Sequence, residues 1–85
     1  MEGKSTTVTY NGNGATGGSV PTDNNSPYAN GETVTVLGNT GNLVKTGYTF
    51  DGWNTASDGT GNSYNAGDTF NISRNTTLYA QWQAT

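Results

Sequence analysis

Thirteen glycines interrupt this chain of 85 residues, and nowhere between them do apolar residues recur at spacings of three and four over more than a few positions. Each glycine in a helix interior costs about 1 kcal/mol relative to alanine, so helix is a minor element at most. Period-two alternation recurs instead. It pairs Val8 with Tyr10 in "TTVTY" (6–10), Val34 with Val36 in "ETVTV" (32–36), and Tyr48 with Phe50 in "GYTFDGW" (47–53). Further on it pairs Phe70 with Ile72 in "DTFNI" (68–72) and aligns Leu78, Ala80 and Trp82 in "TTLYAQW" (76–82). Each segment reads as a half-buried strand.

Between the strands stand Asn11-Gly12, Asn13-Gly14, Asn30-Gly31, Asp51-Gly52 and Asp58-Gly59, dipeptides that tolerate positive φ and mark turns. Every strand has one apolar face and one Thr/Asn/Gln face, so the apolar side needs a cover drawn from the long connections. Val20, Pro21 and Tyr28 in the first connection, and Leu37, Leu43 and Val44 in the second, are the available plugs. A turn of helix is allowed around "GNLVK" (41–45). The reading predicts a mainly β, small single-domain mixed sheet of about five strands over residues 7–83, with terminal tails at 1–6 and 84–85.

The charge content limits the partners. Only 11% of residues are charged, against roughly 25% in an average domain. Lys4, Lys45 and Arg74 face six acidic residues with no histidine, too little positive charge to neutralise a phosphate backbone or an anionic bilayer. Nucleic acid is therefore not expected. No apolar run approaches the ~20 residues of a membrane span, so insertion is not expected either. Cysteine is absent, which excludes disulfides and thiolate metal sites. A Thr/Asn/Gly-rich, weakly charged, cysteine-free composition points to an extracellular setting at a bacterial surface.

Gly12, Gly14 and Gly17 spell G-x-G-x-x-G after the first strand, with Glu32 twenty residues beyond the first of them. That fingerprint requires a helix whose N-terminus receives the pyrophosphate. The residues that follow, "GSVPTDNNSPYANG" (18–31), contain two prolines and no helical periodicity, so the motif is read as a corner and not as a nucleotide site. Asp58, Asn62 and Asp68 supply oxygen ligands in one loop, but their spacing fits no EF-hand and no metal is assigned. Asp23, Glu32, Asp51 and the two loop aspartates offer carboxylates without a cleft that would raise one pKa, and no nucleophile dyad exists. Neither catalysis nor a cofactor is expected. Sequons at Asn24, Asn71 and Asn75 are as numerous as chance would give. Lys45 lies in an Asn-rich neighbourhood, where a Lys–Asn isopeptide bond would require a proximity that sequence does not supply.

The aromatic residues carry more information. The expected core is Val8, Tyr10, Val34, Val36, Phe50, Trp53, Phe70, Ile72, Leu78 and Trp82, with Trp82→Ala expected to open a cavity costing about 3–5 kcal/mol. Tyr64, Tyr79 and Trp53 are candidates for a contact surface, since an exposed aromatic ring can stack on a sugar or anchor a protein contact.

"VTYNGNGATGGSVP", then the Y-x-x-G-E-T-V-T-V block (28–36), "GYTFDGWNT" and "NTTLYAQW" resemble, from Val8 to Trp82, the successive blocks of the Listeria-Bacteroides repeat family, which includes the B-repeat of internalin B. The resemblance implies a compact fold akin to the β-grasp of ubiquitin with its helix reduced or absent. It also implies structural roles for Gly47, Phe50, Gly52, Trp53, Leu78, Tyr79 and Trp82, no catalytic residues, and a variable loop at 57–67. The function it implies is that of a noncatalytic spacer and protein-interaction module of a cell-surface or secreted bacterial protein, beside neighbouring repeats. The alternative is a carbohydrate-binding module that stacks glycans on Trp53, Tyr64 or Tyr79. The expected partner is thus a protein or glycan at the cell surface.

Overall fold

The alternating segments emerge as strands in the computed structural model, which describes residues 3–85 and contains no helix among them. They are β1 (Val8–Asn11), β2 (Thr33–Thr35), β3 (Tyr48–Asn54), β4 (Ser63–Tyr64), β5 (Thr69–Asn71) and β6 (Thr76–Ala84). The mainly β reading holds, and all five expected segments form strands. The sixth, β4, lies inside the expected loop and is only two residues long.

The strands divide between two sheets instead of sharing one. A four-stranded sheet has the order β1-β6-β3-β4, and β2 pairs with β5 as an antiparallel ribbon. Strand β6 is the spine of the larger sheet, with β1 parallel on one side (Val8 opposite Thr76) and β3 antiparallel on the other. The ribbon continues past its named strands through Gly31 N–H to Ile72 O at 2.6 Å and Val36 N–H to Asp68 O at 2.8 Å. Alternation assigns side chains to faces but does not say which strands pair. The division into two sheets is a tertiary outcome.

A bulge interrupts β3. Phe50 stands opposite Trp82 and Trp53 opposite Ala80, so Asp51 and Gly52 together face the single position Gln81. Strict alternation would send Phe50 and Trp53 to opposite faces; the inserted residue turns both to the same one. Gly52 takes φ +88, which lets the strand make this step. Asp51-Gly52 is therefore a feature within a strand, not the turn its composition suggests.

The two sheets and their connections share one core: Val8, Tyr10, Tyr28, Val34, Val36, Leu43, Trp53, Ile72, Leu78 and Ala80 are all buried. Phe50, Phe70 and Trp82 pack against it half-buried, as does Leu37. Of the connection residues, Pro21, Tyr28 and Leu43 are buried, whereas Val20 and Val44 are 40% and 55% exposed. Val44 is held at the surface by its backbone, which pairs with Gly17 in both directions. The side chain of Asn39 bonds both N–H and C=O of Leu43, and this local lock takes the place of the helical turn allowed at 41–45.

Met1 and Glu2, part of the expected tail, lie outside the described residues. Thr6 belongs to the folded body: it is buried and exchanges both backbone bonds with Tyr28. At the other end β6 runs through Ala84, and Thr85 donates to Gly47 O from its backbone and its hydroxyl.

Candidate functional site

Just beyond Trp53, one buried amide organises the loop that joins β3 to β4. Asn54 is 1% exposed. Its Oδ1 accepts from the N–H groups of Ala56 and Gly61, and its Nδ2 reaches Gly59 O, Gly61 O and Ser63 Oγ. A single side chain thus satisfies the inner backbone of residues 56–61, which has no ladder of its own. Sequence reasoning missed Asn54; an Asn directly after the last aromatic of β3 and before a glycine-rich loop is the signal that was there.

The loop, β4 and the β5–β6 connection enclose a groove of about 500 Å³. Thr55 and Asn62 line it from the loop, Tyr64 and Phe70 from β4 and β5, and Arg74 and Asn75 from the β5–β6 connection. The Tyr64 and Phe70 rings stack at 4.9 Å between centroids with 29° between planes, which holds the two against each other. No carboxylate lines the groove, although acidic residues outnumber basic ones two to one in the chain. A second depression of about 280 Å³ lies by Asn13, Lys45, Tyr48 and Asp58.

The three aromatic contact candidates part company here. Tyr64 reaches the groove. Tyr79 is half-buried on the opposite face of β6 from Leu78 and Ala80, beside Asn11 and Asn54, and does not line the groove. Trp53 is corrected as a contact residue: it is 1% exposed, enclosed edge-on by Tyr10 and Phe50, and its Nε1–H donates to Leu37 O. The bulge that turns Trp53 inward removes it from any stacking platform.

The remaining candidates have internal occupations. In the glycine-rich corner, Thr16 and Gly17 donate to Val44 O, Ser19 donates to Gly41 O, and Gly12 O accepts from Trp82 Nε1. The N–H groups of Thr16, Gly17 and Ser19 are thus turned to the protein. The Thr60 hydroxyl and N–H bond the Asp58 carboxylate and hold it below the usual carboxylate range. Asp68 accepts from Asn65 N–H, and among the described residues no three His, Cys, Asp or Glu side chains converge. Asp23 accepts from the Tyr28 hydroxyl at 2.6 Å, a buried contact that, after burial itself, pushes the phenol far above its ordinary pKa. Lys45 Nζ sits 4.3 Å from the centre of the Tyr48 ring.

Comparison with known proteins adds the following. The family profile described as the Listeria-Bacteroides repeat domain matches residues 7–81. A protein of Evansella cellulosilytica, provisionally named a membrane protein, is 43% identical over 76 residues, which cover 88% of this chain and 11% of that protein. A second protein of the same organism, provisionally named a Gly-rich membrane protein, is 60% identical over 42 residues, 48% of this chain and 5% of the relative. The chain thus spans a small fraction of the curated relatives it matches. No solved structure matches it at a significant level.

Proposed function

Since the chain belongs to the Listeria-Bacteroides repeat family, we propose that it is a noncatalytic, load-bearing spacer and interaction module of a bacterial cell-envelope protein, exposed outside the cell. Relatives named as membrane proteins, of which this unit is a small part, support the envelope setting. The family supports the noncatalytic reading.

One observation carries the mechanical part. Strands β1 and β6 are parallel neighbours, with Val8 beside Thr76. The chain enters the sheet at Val8 and leaves it at Ala84, eight residues beyond Thr76 and so about 26 Å away at ~3.3 Å per residue. Tension applied through the two ends slides β1 along β6, loading their slanted hydrogen bonds together. A hairpin pulled from its open end, by contrast, loses its bonds one at a time. The ladder is tied further by Asn75 Oδ1, which accepts from Thr7 N–H, and by Thr76 N–H donating to Thr7 O. The exposed Thr face of this sheet, Thr9 and Thr49 among others, keeps a strained module solvated without adding charge.

Single-molecule pulling tests this. Attachment at the two ends should give an unfolding force several-fold above that for attachment at Tyr48 and Ala84, which face each other at one end of the antiparallel β3–β6 pair, so that β3 peels from β6. Equal forces in the two geometries would remove the load-bearing reading.

A further inference from the structure

We propose that the groove lined by Tyr64 and Phe70 is a binding site for an acidic oligosaccharide, a chain of pyranose rings bearing a carboxylate. Its volume of about 500 Å³ falls within the ~300–1,000 Å³ of small-molecule sites. Tyr64 and Phe70 stack into a rigid, half-buried pair, which leaves one outer ring face to meet the C–H face of a sugar ring.

Around that pair Thr55 and Thr76 spend their hydroxyls on backbone groups, but several amides are free. Among the described residues, the side chain of Asn62, the Nδ2 groups of Asn71 and Asn75 and the hydroxyl of Tyr64 have no hydrogen-bond partner; Asn71 and Asn75 use only Oδ1, toward Thr33 and Thr7. The less exposed Asn13, Asn39 and Asn54 direct their amides at neighbouring backbone, whereas those at the groove are exposed and face solvent. Three exposed amides gathered beside one aromatic pair match a ligand rich in paired hydroxyls.

Arg74 sets the charge of that ligand. Of the three cations in the chain, Lys4 lies 3.7 Å from Glu32 and Lys45 sits over Tyr48, whereas Arg74 has no ion-pair partner among the described residues. It lines, exposed, a groove with no carboxylate of its own in a chain of net charge −3. A guanidinium presents paired N–H groups that fit one carboxylate side-on. An acidic peptide shares the charge but not the need for an aromatic face beside free amides. The sugar is therefore the better fit.

The test uses the whole chain and two-dimensional amide NMR, with a tetrasaccharide of galacturonate, its methyl ester and an acidic hexapeptide as probes. The galacturonate should shift residues 62–64 and 70–77, with Thr55 and the β2 partners of β5, and leave residues 15–20 of the glycine-rich corner in place. Esterification, or Arg74→Gln, should weaken binding about tenfold while the rest of the spectrum stays unchanged. Tyr64→Leu should weaken the acid and the ester alike; if that variant does not fold, Asn62→Ala replaces it. No shift at millimolar sugar, equal binding of acid and ester, shifts at residues 15–20, or a response to the hexapeptide alone would each overturn the proposal. The pulling experiment reads the β1–β6 ladder and not this groove, so the two proposals can fail separately.

Discussion

The peptide of Leu37 is gripped from two sides. Its N–H donates to the Tyr10 hydroxyl and its C=O accepts from Trp53 Nε1, both at 2.9 Å, while the Tyr10 and Trp53 rings meet edge-on at 4.8 Å. Two bulky side chains from the large sheet thus fix the start of the connection beyond β2, and neither buries a polar atom unpaired. Trp53→Ala removes the largest fully buried side chain and should cost about 3–5 kcal/mol through the cavity it leaves. Trp82 is half-buried, closes on Phe50 at 5.7 Å and donates to Gly12 O. Its truncation should cost about 1–3 kcal/mol. Denaturant unfolding followed by circular dichroism gives both values. The sequence reading assigns Trp82→Ala the about 3–5 kcal/mol of a full core residue, because alternation places it with Leu78; a cost for Trp82→Ala above that for Trp53→Ala would restore that expectation.

At the scale of elements, the β3 bulge decides which aromatics share the core. Gly52 combines φ +88 with close neighbours: an added Cβ would stand 2.8 Å from Asn65 Oδ1 and 3.1 Å from Tyr64 O. Gly47 has a similar φ of +83 with nothing within 4 Å. Gly47→Ala therefore isolates the backbone penalty, about 1 kcal/mol. Gly52→Ala adds the collision with β4 and should cost about 1–3 kcal/mol more, with loss of the Tyr64 amide shift that reports β4 pairing. Equal losses at the two sites would mean that β4 yields freely. The same bulge marks the limit of what the chain reveals before folding. Val8/Tyr10, Val34/Val36 and Leu78/Ala80 are legible because unbroken alternation maps directly onto a buried face. Trp53 is ambiguous because one inserted residue reverses its side. Ser63–Tyr64 is too short to show a period at all, and the ribbon β2–β5 alternates just as the larger sheet does, so its separation leaves no mark in the pattern. The groove is less legible still: Asn62, Phe70 and Arg74 are brought together by strand pairing, and nothing in their local sequence anticipates it.

For the molecule as a whole, stability rests on apolar packing and neutral hydrogen bonds, with charge in a minor part. The one ion pair among the described residues, Lys4–Glu32, is exposed on both sides, and such pairs contribute at most about 1 kcal/mol. No histidine side chain titrates near neutrality. The two buried phenols behave differently. Burial raises the pKa of Tyr10 above 10, with the nearby Asp23 charge acting in the same sense against the opposing bond from Leu37 N–H. Burial raises Tyr28 further, reinforced by its hydroxyl's bond to Asp23. In the unfolded chain both phenols ionise near ~10. A group whose pKa is raised by folding contributes fully below its unfolded value and loses that contribution as pH climbs toward the folded value. Stability should therefore stay flat from about pH 6 to 9 and fall above about pH 10. Tyr28→Phe should lower stability at neutral pH, because Asp23 loses its phenol partner, and should flatten the alkaline fall, because one proton fewer is released on unfolding. Denaturant midpoints across that range measure both effects. An alkaline limb unchanged in Tyr28→Phe would show that the Asp23–Tyr28 contact does not couple protonation to folding and that the fall belongs to other groups, Tyr10 first among them.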